Sequence, residues 1–146
     1  MYFTTRLATI GDREFARKTH HAAYRDVVIK QFGSFDEKIQ DKFFAESWNN
    51  RAHEIFMYNG ESVGYESVEY LPDHIFVHEL VLLPEFQGLR IGSLFLKKIQ
   101  EEAKEKNIPV KLQVLKENSA LEFYQKLGFK VTDSDEVHIK MEYHSN

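Results

Sequence analysis

The sequence predicts an α/β fold in which helices pack against a mixed, mostly antiparallel central sheet, with about seven strands and about four helices. Three observations predict it. Two stretches with apolar residues at helical spacing occupy the first third of the chain. Short runs rich in β-branched and aromatic residues, separated by turn signals, then follow. Helix-like and strand-like patterns alternate from there to the end, giving the order β-α-α-β-β-β-α-β-α-β-β.

Residues 2–8 read as the first strand. Gly11-Asp12 offers a helix start with Asp12 as N-cap, because a short carboxylate there accepts from the orphan N–H groups of the first turn. Phe15, Thr19, Ala22, Ala23 and Val27 recur at helical spacing and predict the inner face of this helix, which ends near Phe32 and Gly33. Residues 34–48 carry Phe35, Ile39, Phe43, Phe44 and Trp48 at similar spacing, predicting a second helix. The runs EIFMY, SVGYESVEYL and HIFVHELVLL read as three strands. Asn59-Gly60, two residues that accept positive φ, predicts a hairpin turn, and LPDH at 71–74 a second one, so these strands form an antiparallel meander. Helical spacing returns over 91–106 through Ile91, Leu94, Phe95, Ile99 and Ala103. A strand at 110–115 and a helix at 118–127 come next, with Gly128 where a left-handed C-terminal residue is needed. Residues 129–132 and 137–143 close the chain as two strands.

No repeat, low-complexity stretch or Pro/Gly/Ser-rich linker divides the 146 residues, which predicts a single domain over 1–146. Hydrophobic residues at 42% and charged residues at 29% are ordinary for a globular chain, so disorder and a membrane protein are not expected. The opening MYFTTRLATIGDREF lacks a basic segment followed by an apolar one, which predicts no export leader. Cysteine is absent, so disulfides, thiolate metal sites and a cysteine nucleophile are excluded, and a reducing, cytoplasmic setting is expected. A net charge of -4 disfavours nucleic acid as a partner and leans toward cationic acceptors. The histidines at 20, 21, 53, 74, 138 and 144 show no metal-ligand spacing, and no metal is expected.

The most informative segment is LVLLPEFQGLRIGS at 80–93, a strand running through a short loop into a helix start. Such a loop exposes backbone N–H groups without intrahelical partners, and the helix dipole favours phosphate at that end. It lacks the Gly-Lys-Ser/Thr ending of a Walker loop and the Gly-x-Gly-x-x-Gly dinucleotide pattern, so nucleotide hydrolysis is disfavoured; taken alone it is also simply a tight turn. The second segment is NSALEFYQKLGF at 118–129, in which Phe123, Tyr124 and Leu127 read equally as packing residues.

Together, Gln87-Gly88-Leu89-Arg90-Ile91-Gly92 and Asn118-Ser119-Ala120 with Tyr124, Gly128 and Phe129 resemble the GCN5-related N-acetyltransferase (GNAT) superfamily, and the element order matches that family from end to end. The family usually has glycine where Arg90 stands. The resemblance implies a GNAT-like fold and transfer of an acetyl group from acetyl-CoA, as cosubstrate, to a primary amine. It places the main chain of Leu80, Leu82 and Leu83 along the pantetheine arm. It also places Gln87, Gly88, Leu89, Arg90, Ile91, Gly92 and Ser93 around the pyrophosphate, with Asn118 and Tyr124 also at the cofactor. Tyr124 is implied as the acid for the departing thiolate and the Leu80 backbone N–H as the oxyanion donor. For the base, His78 stands where some members carry a catalytic histidine; its neighbour Glu79 points to the opposite face of the strand, and a water chain is a further option. Phe76 and Gln113 occupy positions where other members carry a histidine and a glutamate. Tyr24, Arg25, Phe32, Trp48, Glu66 and Tyr70 are candidates for the acceptor site, for a small-molecule or peptide amine. Monomer and homodimer are both compatible with the sequence. The competing reading is a catalytically silent acyl-CoA-binding or sensory domain.

Overall fold

The computed structural model describes residues 2–145. The elements are β1 (Thr4–Leu7), a 3-10 turn (Ile10–Asp12), α1 (Arg13–Phe32), α2 (Glu37–Asn50), β2 (Glu54–Tyr58), β3 (Glu61–Tyr70) and β4 (Ile75–Leu82). A second 3-10 turn (Pro84–Leu89), α3 (Ile91–Lys106), β5 (Val110–Leu115), α4 (Leu121–Lys126), β6 (Lys130–Ser134) and β7 (His138–Tyr143) follow. Among the described residues the strand order is β1-β2-β3-β4-β5-β7-β6. The pairs β1·β2, β2·β3, β5·β7 and β6·β7 are antiparallel, whereas β4 meets β5 in parallel through Ile75↔Val110 and Phe76↔Lys111. The mixed, mostly antiparallel sheet with helices is as the sequence predicts. Among the described residues no helix is long and apolar enough to cross a membrane.

The chain forms two compact units, one of residues through Ser67 with Glu79–Ile91, the other of Val68–His78 with residues from Gly92 on. In the first, Ala16, Phe44, Ile55, Tyr65 and Val81 are buried together, with Phe15, Ala23, Tyr24, Trp48 and Met57 packed against them. α1 stops at Gly33, whose φ of 90° only glycine adopts cheaply and whose N–H returns to the Ile29 carbonyl at 2.8 Å. α2 begins on Asp36, whose carboxylate accepts from the N–H groups of Lys38 and Ile39 at 3.0 and 3.2 Å. The β2–β3 hairpin turns on Asn59 and Gly60, both at positive φ as predicted.

Three local expectations need correction. Asp12 does not cap α1; its carboxylate instead closes the preceding 3-10 turn by accepting from the Thr9 N–H at 2.8 Å, and it pairs with Arg6 at 2.8 Å. The Arg6 guanidinium holds that carboxyl well below the usual range. The buried stripe of α1 runs through Ala16, Thr19, His20 and Val28, leaving Ala22 exposed. Likewise α2 buries Gln40 and Phe44 while Ile39 and Phe43 stay half exposed. Neighbours in a helix sit about 100° apart, so runs such as Ile39-Gln40 and Phe43-Phe44 do not reveal which member faces inward.

The second unit buries Ile75, Leu96, Ile99, Ala103, Val110, Leu112, Phe129 and Met141. The predicted turn at its start closes with the Leu71 N–H on the His74 carbonyl at 2.9 Å. α4 is shorter than predicted because Asn118 folds back, its side-chain oxygen accepting from the Ala120 N–H at 2.8 Å, so 118–120 form a turn.

In the first unit β3 lies against β4 at Gly64, where an added Cβ would overlap the Val81 carbonyl and crowd Leu82. Backbone at such a contact cannot yield as a flexible side chain does. Gly64→Ala is therefore expected to lower the unfolding free energy by about 2 kcal/mol or more, measured by urea denaturation.

Candidate active site

β4 organises the candidate residues by alternation: Phe76, His78 and Leu80 share one face, and Val77, Glu79 and Val81 the other. His78 bonds through Nε2 to Glu69 Oε1 at 2.8 Å, and its ring lies 4.6 Å from that of Phe76. A recess of about 250 Å³ beside Phe76 is lined by Lys111, Gln113, Thr132, Lys140 and Glu142.

Glu79 turns toward the other face, where Oε2 accepts from Ser47 Oγ at 3.0 Å and meets His53 Nε2 at 2.9 Å. His53 Nδ1 faces the Arg51 carbonyl at 3.1 Å. A carbonyl only accepts, so Nδ1 carries a proton and a further proton lies between Nε2 and the carboxylate. The His53 ring stacks on Trp48 at 4.6 Å and meets Tyr65 at 5.7 Å. Tyr65 Oη is the only sealed side-chain polar atom without a partner among the described residues. Burial, and then the Glu79 charge, push its hydroxyl well above the usual phenol range.

His20 is buried beside Tyr24 and Phe44, at ring separations of 4.8 and 5.8 Å. Burial pushes its pKa down to about 4, against the opposing pull of Glu79. Its Nδ1 meets His21 Nδ1 at 3.0 Å, and His21 Nε2 meets Asp41 at 2.6 Å. His21, Asp41 and Glu37 bring together three metal-capable groups, but Arg17 already pairs with Asp41 at 2.9 Å and Glu37 at 3.3 Å.

The predicted phosphate loop is a 3-10 turn, Pro84–Leu89, leading into α3. Gln87 is tied down locally, its side-chain amide donating to the Leu82 carbonyl at 3.1 Å. Open space surrounds the Cα of Gly88, Arg90 is exposed, and Ile91 and Gly92 are buried. Arg90 takes φ 67°, ψ 8°, the left-handed conformation that glycine adopts freely. The loop thus keeps a glycine-like shape despite the substitution. The turn leads directly into the N-terminus of α3, the end of a helix whose dipole favours an anion. Leu82 is buried, and Leu80, Leu83, Leu89 and Ser93 are half-buried. Tyr124 is 8% exposed on α4, where burial pushes its hydroxyl up to about 12, and its ring meets those of Phe123 and Phe129 at 5.2 and 5.9 Å.

Sequence reasoning missed Glu69, His53 and Ser47 as partners of the β4 side chains. Only strand alternation hinted that Glu79 and His78 would find different surroundings; their partners lie on other elements.

The chain is an α/β protein in which β4 runs through a left-handed turn at Arg90 into α3. A model of the acetyltransferase (GNAT) domain family matches residues 20–143, and the chain belongs to that family. Over 76 residues it is 32% identical to the [ribosomal protein bS18]-alanine N-acetyltransferase of Haemophilus influenzae, covering 51% of this chain and 52% of that one. The alignment thus spans about half the length of that relative. The fold is shared with the PaiA N-acetyltransferase of Thermoplasma acidophilum in complex with coenzyme A, at TM-score 0.79 and 22% identity over 99% of this chain and 100% of that one. It is also shared with the ribosomal-protein-S18-alanine N-acetyltransferase of Escherichia coli, at TM-score 0.67 and 17% identity over 98% and 94% of the two chains.

Two outcomes follow from this geometry. Folding depresses the His20 pKa from 6.5 to about 4, so the unfolded chain binds that proton more readily. The linked stability is whole above the unfolded pKa and is lost as pH falls toward the folded one, on the order of 3 kcal/mol. Urea unfolding above and below that window is expected to show a smaller acid loss in His20→Gln than in the native protein. Arg90→Gly relieves a left-handed non-glycine residue and is expected to raise stability by roughly 1 kcal/mol at most, read from Tm.

Proposed function

We propose that this protein is an N-acetyltransferase working in the cytoplasm as a single catalytic domain, taking acetyl-CoA as cosubstrate and a primary amine as acceptor. The family match over residues 20–143 carries the reading. The loop supports it: a Cβ at Gly88 would meet nothing within 4 Å, Arg90 has the backbone of a glycine, and the turn leads straight into the N-terminus of α3, whose dipole favours an anion. Residues 87–93 would hold the pyrophosphate, with the main chain of Leu80, Leu82 and Leu83 beside the pantetheine arm and Asn118 and Tyr124 also at the cofactor. That the related PaiA enzyme was solved with coenzyme A is in keeping with this assignment.

The reaction needs a neutral amine, a donor for the oxyanion and a proton for the leaving thiolate. His78 takes the proton from the amine nitrogen, whose lone pair then forms the new C–N bond as the C–S bond breaks. The Leu80 backbone N–H receives the oxyanion. Tyr124 supplies a proton to the departing sulfur. Its raised pKa keeps it loaded at neutral pH, and the same dry surroundings raise the basicity of a thiolate, so donor and acceptor shift together. The acceptor is an amine of a small molecule or of a peptide; the Haemophilus influenzae relative acts on an alanine of a ribosomal protein.

The test follows free CoA with a thiol reagent across a panel of amines and alanine-starting peptides. Tyr124→Phe is expected to reduce amine-dependent release by roughly tenfold to hundredfold while acetyl-CoA still binds by calorimetry. Tight acetyl-CoA binding with no acceptor-dependent release would instead identify a silent acyl-CoA-binding domain.

A further inference from the structure

His78 is held more closely than a surface histidine needs to be. Its side chain keeps 18% exposure, Phe76 lies against its ring at 4.6 Å, and Nε2 sits 2.8 Å from Glu69 Oε1. Glu69 is 54% exposed, so it remains an ionised, accepting carboxylate whose own contact with water is kept. An ionised carboxylate can only accept, so the proton of the neutral imidazole must sit on Nε2. The lone pair is then on Nδ1, for which no partner is present among the described residues. The other charged groups around this face are Lys111 and Glu142 beside Phe76, Lys140 across from Gln113, and His74 in the turn before β4. Lys111 and Glu142 approach each other to 4.0 Å, and His74 is engaged by Asp73 at 2.8 Å. Glu69 is thus the acidic group bonded directly to His78.

We propose that Glu69 is a positioning residue for the acetyl-transfer reaction: it fixes His78 in the Nε2–H tautomer, turns Nδ1 toward the amine as proton acceptor, and stabilises the imidazolium that forms. The inference rests on the reading of His78 as the base. The proton balance is simple. The amine N–H bond breaks toward Nδ1, the Nε2–H bond to Glu69 persists, and the imidazolium later gives its proton to solvent. Two substitutions separate the parts of this role. Glu69→Gln keeps an accepting oxygen for Nε2–H but removes the charge, and Glu69→Ala removes both.

The experiment has one arm that needs no turnover. Nitrogen-15 NMR of the imidazole of the full chain, without ligand, is expected to show neutral His78 protonated at Nε2 in the native protein and in Glu69→Gln. In Glu69→Ala a mixture of tautomers is expected. The second arm measures kcat and KM with the best amine of the panel. Glu69→Ala is expected to lower kcat at least tenfold and Glu69→Gln to recover part of that loss, with acetyl-CoA affinity within twofold of native. An unchanged tautomer in Glu69→Ala would overturn the inference whatever the activity. A raised amine KM with kcat intact would also overturn it, making Glu69 only an attractor for the ammonium. If the tautomer responds as expected but His78→Gln turns over normally, the failure lies in the assignment of His78 as base, and the catalytic role of Glu69 falls with it.

Discussion

Along β4 successive side chains must point to opposite faces of the sheet, and the polar pair His78-Glu79 sits where that constraint has its largest consequence. Glu79 enters a nest of rings under α2, tied to His53 and Ser47. His78 stands on the other side with Phe76 and Glu69. Two titratable neighbours in sequence thereby acquire different partners, one bonded to Ser47 and His53 beside the Trp48 ring, the other bonded to Glu69. The chemistry proposed for this strand depends on that separation, because a base must reach an acceptor while a part-buried carboxylate needs its charge and hydrogen bonds satisfied in place.

Among the described residues, the Tyr65 hydroxyl of β3 is the one sealed side-chain polar atom left without a partner. A sealed phenol without a partner costs on the order of 1–3 kcal/mol, and the surrounding rings of Phe44, Trp48 and His53 offset this by burying large apolar faces. The close approach of Gly64 to β4 belongs to the same packing. Glycine there lets the two strands meet without a side chain between them, and so sets how deeply Tyr65 and Val81 enter the core they share with Ala16 and Phe44.

The loop after β4 shows how a motif survives a substitution at its most constrained position. Where the resemblance expects glycine, Arg90 takes the positive φ that a glycine would. The cost is local strain. Gln87, read as a cofactor residue from the motif, also has an internal task, since its amide holds the Leu82 carbonyl where the strand ends.

Much of the architecture could be read from the chain alone: the order of strands and helices, the Asn59-Gly60 hairpin, the glycine stop of α1, and the loop and tyrosine motifs that point to the family. Each depends on spacing within a few residues, where backbone geometry and side-chain type act directly. Tertiary structure decided which of two adjacent apolar residues in α2 faces inward, that Asp12 binds Arg6 and Thr9 rather than capping a helix, and that Asn118 bends the chain into a turn before α4. It also decided the partners of His78 and Glu79, which come from β3, from α2 and from the residue before β2. Those outcomes rest on contacts between segments far apart in the chain, and a local pattern carries no information about which distant group will arrive opposite a given side chain.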